Sequence, residues 1–468
     1  MKRLFFKMNV FLSVILLSVS LTQISCSSLS SKSASQFQLR PMQELTLKNG
    51  LQVIYIKDTT LPRISFHLML KTGAAQDPKG EEGLSNLTLA LLEQGTKDKT
   101  ATEIADEFAQ LGSSFGESAA ADYMMMNTAG LSEFKDKLIS IYADVVMNPV
   151  FSNEEVARRK SQILADLRQQ MDQPTGYADL LFAKEIYGAH PYGHPTAGTI
   201  ASVKFLSRTQ VIKNYFTYFR PNNAMLAIVG NFDEAFKAKV ETTFSQWQSS
   251  ALPKNELVEK PSLTAAGIKL FTKPGLQQTQ IRIGQVGIAR NDPDFLRLRL
   301  ANVVLGGAFA SRLNQKVRDD LGLTYSISSH FDAKKDAGSF EVSTFARNEK
   351  VGEAIRNTVQ VIQEFQKSGV TEKELKSAKA LLVGQFPAAI ETADRLAFNL
   401  LVLRANGIPD TYLTQFFSNV NSITLKEVNE TIRHRLTSDQ LKTVVFADGS
   451  AVSDQLKGLG KFETVKAQ

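Results

Sequence analysis

The sequence predicts an α+β protein built from two similar halves, each with helices packed on a mixed sheet. Three observations carry that prediction. The chain has 468 residues, more than one hydrophobic core usually serves. Its 43% hydrophobic and 22% charged content is ordinary for a globular protein. A series of strands, one apolar helix, more strands, long helices and a final strand occurs twice. The apolar helices of the two series open at Gly83 and Pro293, and that offset is the period of an internal duplication.

The first residues form neither half. Residues 1–25 have a basic start at Lys2, Arg3 and Lys7, an apolar run from Val10 to Leu21 and small residues before Cys26, the pattern of a secretory signal. The run is too short and too early for a stable membrane span. Cys26 is the only cysteine, so no internal disulfide can form. Its position resembles the lipid-attachment cysteine of bacterial lipoproteins, with Ile24 and Ser25 fitting that motif and Gln23 standing where leucine is usual. That resemblance implies export to the periplasm and a membrane contact through a lipid anchor. A plain cleaved signal is the other reading. Residues 26–40 contain SSLSSKSASQ and read as a flexible tether. The net charge of +7 includes the leader's three cations and no basic block, which argues against a nucleic-acid partner.

The first half is expected over residues 41–248. Three strands lie between Glu44 and Leu70, with the Lys48–Asn49–Gly50 turn between the first two. Gly83 to Gly95, GLSNLTLALLEQG, is apolar enough for a buried helix. A helix follows through Leu111 with Thr102 as its cap. Ser113 to Gly130 reads as two strands, in which Met124, Met125 and Met126 must alternate faces. Helices are predicted over Glu133–Val146, Glu154–Gln170, Tyr177–Tyr187 and Ser207–Phe219, then a strand NAMLAIVG and a helix Asp233–Trp247. His190 and His194 are the only neighbours among five histidines. They sit in HPYGHP, where two prolines and a glycine forbid a regular helix and no Cys or carboxylate joins them, so polar surface histidines are expected rather than a metal site.

Residues 249–263, polar and proline-bearing, read as a linker, and residues 264–468 repeat the pattern. Strands at Lys269–Thr272 and Thr279–Gly287 precede a helix Pro293–Leu305. In GGAFASRLNQKVRDDLGLTYSISS, Leu313, Val317 and Leu321 mark a short helix that Ser311 can cap and Gly322 can end. A strand is expected from Leu323, then Ser339–Ala346. Helices follow at Lys350–Lys367, Thr371–Phe386, Thr392–Ala405, Asp410–Phe416 and Thr424–Leu436, and Leu441–Ala447 closes the chain. Arg318 thus falls in the last turn of a helix and Tyr325 near the start of the next strand. A guanidinium and a phenol on one side of a groove suit peptide carbonyls or an oxyanion, although a surface arginine and a half-buried tyrosine give the same spacing.

The run SRL, then Arg318, then GL-x-Tyr325 resembles the second half of the pitrilysin-like zinc peptidases, the M16 family, short bacterial M16B type, over almost the whole chain after residue 40. The resemblance implies a LuxS/MPP-like metallohydrolase fold, two homologous halves with mainly antiparallel sheets, forming a clam-shell. It also implies that Arg318 and Tyr325 hold the substrate backbone and that the first strand of the Ser113–Gly130 pair is a sheet edge that accepts peptide. The family's inverted zinc motif H-x-x-E-H aligns with the Gly83–Gly95 helix, placing Asn86 and Ala90 at the histidines and Leu89 at the general-base glutamate. The third ligand aligns with Asp166 and its supporting glutamate with Arg159. Leucine and alanine offer no lone pair and Asn86 is a weak neutral ligand, so a His₂Glu zinc site cannot be assembled on this chain. The expectation is a zinc-less subunit that lends Arg318 and Tyr325 to an H-x-x-E-H-containing M16 subunit carrying zinc, acting on peptides or unfolded proteins in the envelope. The alternative is a pseudoenzyme that binds peptides or scaffolds an envelope complex.

Overall fold

The structure is a computed structural model that describes residues 39–253, 259, 261 and 266–467, and the chain from Arg40 onward forms one unit. The leader, Cys26, the tether up to residue 38 and most of the 254–265 stretch lie outside the described residues.

Two sheets of six strands carry the repeat. In the first, β1 (Met42–Thr46), β2 (Gln52–Lys57), β3 (Arg63–Leu70), β4 (Gly116–Ala119), β5 (Met124–Leu131) and β6 (Ala224–Gly230) take the order β1-β2-β6-β3-β5-β4. In the second, β7 (Gly267–Thr272), β8 (Gln278–Val286), β9 (Ile327–Asp332), β10 (Ser339–Arg347), β11 (Lys442–Ala447) and β12 (Phe462–Lys466) take the order β12-β7-β11-β8-β10-β9. Five positions, from β2 and β7 to the edge strands β4 and β9, correspond one to one. The opposite edge does not: β1 comes from the N-terminal side and runs antiparallel to β2, whereas β12 comes from the C-terminal side and runs parallel to β7. Apart from these, only the pairs β2–β6 and β7–β11 are parallel, so both sheets are mixed and mainly antiparallel.

Residue patterns explain the central strands. All seven residues of β6 are buried, as a strand covered on both faces requires. Met124, Met125 and Met126 are all buried, so both faces of β5 are packed. The long amphipathic helices appear where periodicity put them, among them Lys135–Met147, Asn153–Met171, Pro174–Tyr187, Val351–Ser368 and Glu372–Ile390.

Some expectations fail for local reasons. The cap of the helix Ala101–Gln110 is Thr100, not Thr102, because Glu103 bonds back to Thr100 and closes a capping box. The helix expected over Gly83–Gly95 spans only Leu84–Ala90, since the chain then turns so that Gly95 can bridge Thr100 and Thr96 can bridge Pro149. Asp410–Phe416 divides into Thr411–Thr414 and Phe416–Ser422. A helix at Ile200–Phe205 was not foreseen, nor were the helix Gly449–Lys457 and the strand β12 after Ala447. β12 is mostly exposed and short, so its sequence carries little apolar signal.

The halves exchange helices. Pro174–Tyr187, from the first half, packs on β8 and β11 of the second sheet, where Tyr177 meets Phe446 edge-on at 5.2 Å. Ala393–Ala405, from the second half, packs on β6 and β3 of the first. There Asp394 accepts from Ser65, from Arg63 Nη1 at 2.5 Å and pairs with His67 Nε2 at 2.8 Å. Burial opposes that charge, yet the donors of His67, Ser65 and Arg63 hold the Asp394 carboxyl down to about 2.

Candidate functional site

The short helix Leu84–Ala90 is fixed by its surroundings. Gly83 precedes it at φ 94°, and a Cβ there would lie 2.6 Å from the Ala197 carbonyl oxygen. Asp77, buried, accepts from the N–H groups of Gly83 (2.8 Å) and Ser85 (2.9 Å) and so meets donors at the helix start. Burial still pushes its carboxyl up to about 6.

Asn86, Leu89 and Ala90 face a cavity of about 340 Å³. Its second wall is one stripe of the helix Asn153–Met171, in which Arg159, Ile163, Asp166, Leu167 and Gln170 recur at helical spacing. Its third is the edge strand β4, through Glu117, Ser118 and Ala119. The fold therefore brings together the four positions Asn86, Leu89, Ala90 and Asp166 that sequence alignment singled out. It does not give them metal chemistry. Two of the four are apolar, and Arg159 extends a guanidinium whose Nη2 lies 3.2 Å from Glu117 Oε1. This donor set does not fit a divalent zinc ion, because a fixed cation stands where a second one would have to be neutralised. Among the described residues no group of three or more His, Cys, Asp or Glu side chains can hold a metal ion.

Glu93 lies beside the Arg159–Glu117 pair. Burial, reinforced by the charge of Glu117 and opposed by Arg159, pushes its carboxyl up to about 7. A carboxyl raised in the fold keeps its proton there while the unfolded chain loses it. Glu93 therefore weakens the fold progressively from about pH 4 to 7 and by a constant amount above. Glu93→Gln is expected to raise stability at pH 8 by about 1 kcal/mol, discounted for its partial exposure, and to change little near pH 4. Urea midpoints at the two pH values check this, and an equal gain at both would show that titration is not the cause.

In the second half the helix Phe295–Asn302 widens into a π-helical turn over Val303–Gly307. After the exposed Phe309 a second short helix runs to Asp320, π-helical from Asn314. Leu313 and Val317 are buried at the expected spacing. Ser311 is buried too, but its hydroxyl accepts from the Asn314 side chain rather than capping a backbone N–H. Gly322 ends the helix at φ 59°, as a left-handed terminator should, with its N–H on the Arg318 carbonyl (3.1 Å). The strand begins at Ile327, not Leu323. Thr324 Oγ1 accepts from Ser326 N–H and donates to its carbonyl, a local alternative to sheet pairing.

Tyr325 consequently sits in a bend and is 80% exposed, rather than half-buried. The Arg318 guanidinium carbon lies 5.7 Å from its ring centroid and 4.7 Å from that of Phe309, itself 74% exposed. Its nearest carboxylate, Asp319, is 4.0 Å away. Arg318 is thus positioned by two aromatic rings with its donors not committed to a strong ion pair. Phe309 escaped the sequence reading; an aromatic in a loop flanked by Gly306–Gly307 and Ser311 was the signal available. Neither Arg318 nor Tyr325 lines the Asn86 cavity.

His190 is buried, not a surface residue, because its ring packs 4.5 Å from that of Tyr192 and its Nδ1 accepts from the Tyr192 N–H. The prolines do exclude a regular helix, leaving a single 3₁₀ turn at Pro191–Gly193.

The chain is similar to known proteins in sequence and in fold. Residues 52–200 match the profile "Insulinase (Peptidase family M16)" and residues 206–382 the profile "Peptidase M16 inactive domain". The "Uncharacterized zinc protease YmxG" of Bacillus subtilis is 24% identical over 88% of this chain and 100% of its own. The "Non-peptidase homolog YmxG" of Helicobacter pylori is 25% identical over 81% and 88%. Among solved structures, a peptidase M16 inactive domain from Pseudomonas fluorescens superposes with a TM-score of 0.78 at 28% identity, covering 87% of this chain and 98% of that one. A protease from Helicobacter pylori superposes at 0.81 with 20% identity, over 87% and 100%, a likeness of fold.

Proposed function

The chain belongs to the M16 peptidase family, and from that premise we propose that it is the zinc-less subunit of a two-chain M16 peptidase. One observation carries the reading. The cavity of Asn86, Leu89, Ala90 and Asp166 is lined without a metal donor set, while Arg318 and Tyr325 stand together on an exposed surface. A partner chain with the H-x-x-E-H motif brings the metal. Tyr325 donates its O–H to the oxyanion that develops as a peptide carbonyl is attacked, and Arg318 grips a neighbouring substrate carbonyl. The substrates are peptides or unfolded chains of the cell envelope. The leader and Cys26 support export and lipid anchoring.

Native copurification followed by mass spectrometry and metal analysis tests this. The chain alone is expected to hold far less than one zinc per molecule and to cleave no peptide. With its partner it should yield activity that a chelator removes. Stoichiometric zinc and chelator-sensitive cleavage by the isolated chain would overturn the proposal. A second reading, a peptide-binding or scaffolding pseudoenzyme, draws support from the Helicobacter pylori relative called a non-peptidase homolog. It predicts no copurifying H-x-x-E-H chain and no activity in any mixture.

A further inference from the structure

The Asn86 cavity, unfit for zinc, still holds polar groups that nothing answers. Among the side chains that line it, Glu117, Arg159 and Asp166 are charged, two negative and one positive. Arg159 is committed: its Nη2 lies 3.2 Å from Glu117 and its Nη1 donates to Gln162 at 3.3 Å. Asp166 is not. Its carboxylate and the side-chain amides of Asn86 and Gln170 have no hydrogen-bond or ion-pair partner among the described residues. Asp166 is exposed and the two amide residues are half-buried, so a ligand in the cavity can reach all three.

Their placement suits one kind of group. Asp166 and Gln170 stand one helical turn apart, with Asn86 on the other wall. Arg159 precedes Asp166 by seven residues, about 10 Å along the helix axis, so its charge sits at the far end of the stripe. Ile163 and Leu167, with Leu89 and Ala90 on the other helix, make the surface between them apolar. An ammonium has three donors and no acceptor, and a carboxylate with two amide oxygens supplies three acceptors. One positive charge brings the lining to neutrality, whereas a divalent ion would leave an excess that the low-dielectric walls do not screen. The apolar surface takes an aliphatic stem, as lysine side chains provide. At about 340 Å³ the cavity has the size of a small-ligand site, ample for one side chain.

The third wall gives such a group a way in. β4 is an edge strand, with one side of its backbone unpaired in the sheet, and its residues Glu117, Ser118 and Ala119 line the cavity. A peptide that pairs with β4 turns alternate side chains to one face. We propose that this cavity, in place of a metal, takes the lysine side chain of a peptide lying along β4. The ammonium meets Asp166, Asn86 and Gln170, and the stem lies on Leu89, Ala90, Ile163 and Leu167. This site depends on the peptide binding common to both functions proposed above, and not on a partner chain.

The test titrates the purified chain, at low salt, into the fluorescein-capped amide of Val-Thr-Lys-Thr-Val and into the same peptide with norleucine or acetyl-lysine in place of lysine, read by fluorescence anisotropy. Norleucine keeps the stem without the ammonium, and acetyl-lysine keeps the length without the charge. The lysine peptide is expected to bind at least tenfold tighter than either, with added salt eroding the advantage. Asp166→Asn should bring the lysine peptide to the norleucine level and leave the norleucine peptide unchanged. Asp166 is exposed, so the variant should unfold at the wild-type urea midpoint. Equal binding of the three peptides, or a lysine preference that survives in folded Asp166→Asn, overturns this pocket and leaves peptide binding standing. Absence of binding by all three overturns the pocket together with peptide binding by this chain.

Discussion

On the two-chain reading, Tyr325→Phe is expected to lower turnover of the reconstituted pair by on the order of 10²–10³ while leaving the fold untouched. The first half of that expectation follows from chemistry: a donor aimed at developing negative charge is worth most in the transition state, and phenylalanine keeps the ring but loses the O–H. The second half follows from position. Tyr325 is 80% exposed and makes its ring contact with Arg318 rather than with a core, so the variant should unfold at the wild-type urea midpoint. Arg318→Lys should also reduce turnover. Lysine keeps the charge but not the flat guanidinium that lies against Phe309 and Tyr325. Steady-state kinetics of the mixed chains decide the matter, with the loss expected in kcat for Tyr325→Phe. A drop of less than about tenfold would remove Tyr325 from the oxyanion role, since a donor used there cannot be that cheap to delete.

The largest expected loss of stability lies elsewhere, at Arg282. This side chain is fully buried on β8, where its Nε lies 2.6 Å from Asp179 and 3.2 Å from Glu341. Its other nitrogens donate to the carbonyls of Ile281 (3.1 Å), Thr344 (3.3 Å) and Thr175 (3.0 Å). One guanidinium thereby ties β8 to β10 and to the helix that the first half lends to the second sheet. Arg282→Met strands those acceptors. Asp179 is about half exposed and can turn to water, so most of the penalty falls on Glu341 and the carbonyls. Burial already pushes the Glu341 carboxyl up to about 7, with Arg282 holding it back, and loss of the cation would drive it further toward the neutral acid. A cost of about 3–5 kcal/mol is expected from urea denaturation, a large part of a typical domain's margin. The double variant Arg282→Met, Glu341→Leu should recover most of it, because the stranded acid is then gone. No recovery would place the cost in the backbone carbonyls instead.

Much of this was legible in residue types. Periodicity at Leu313 and Val317, the terminator at Gly322, the buried run of β6 and the duplicated order of elements are local properties, set within a few residues of each position. Thr100, not Thr102, became the cap because the partner that matters, Glu103, sits three residues after it. β12 escaped notice because a strand on an exposed sheet edge needs few apolar residues, its pairing to β7 being made by the backbone. At the site, residue types alone show that Leu89 and Ala90 offer no lone pair to a metal. They did not reveal that Arg159 reaches Glu117 on β4, that Phe309 stacks on Arg318, or that His190 is buried.

The sequence by itself determined the two-fold series of elements and the loss of metal donors, since both are written in side-chain chemistry and short-range spacing. The tertiary structure alone decided that Asn86, Leu89, Ala90 and Asp166 share one cavity, that each half rests a helix on the other's sheet, and that Tyr325 faces solvent. The reason is that such neighbours come from strands and helices far apart in the chain, joined by backbone ladders that any residue can make and by packing whose partners no local pattern names.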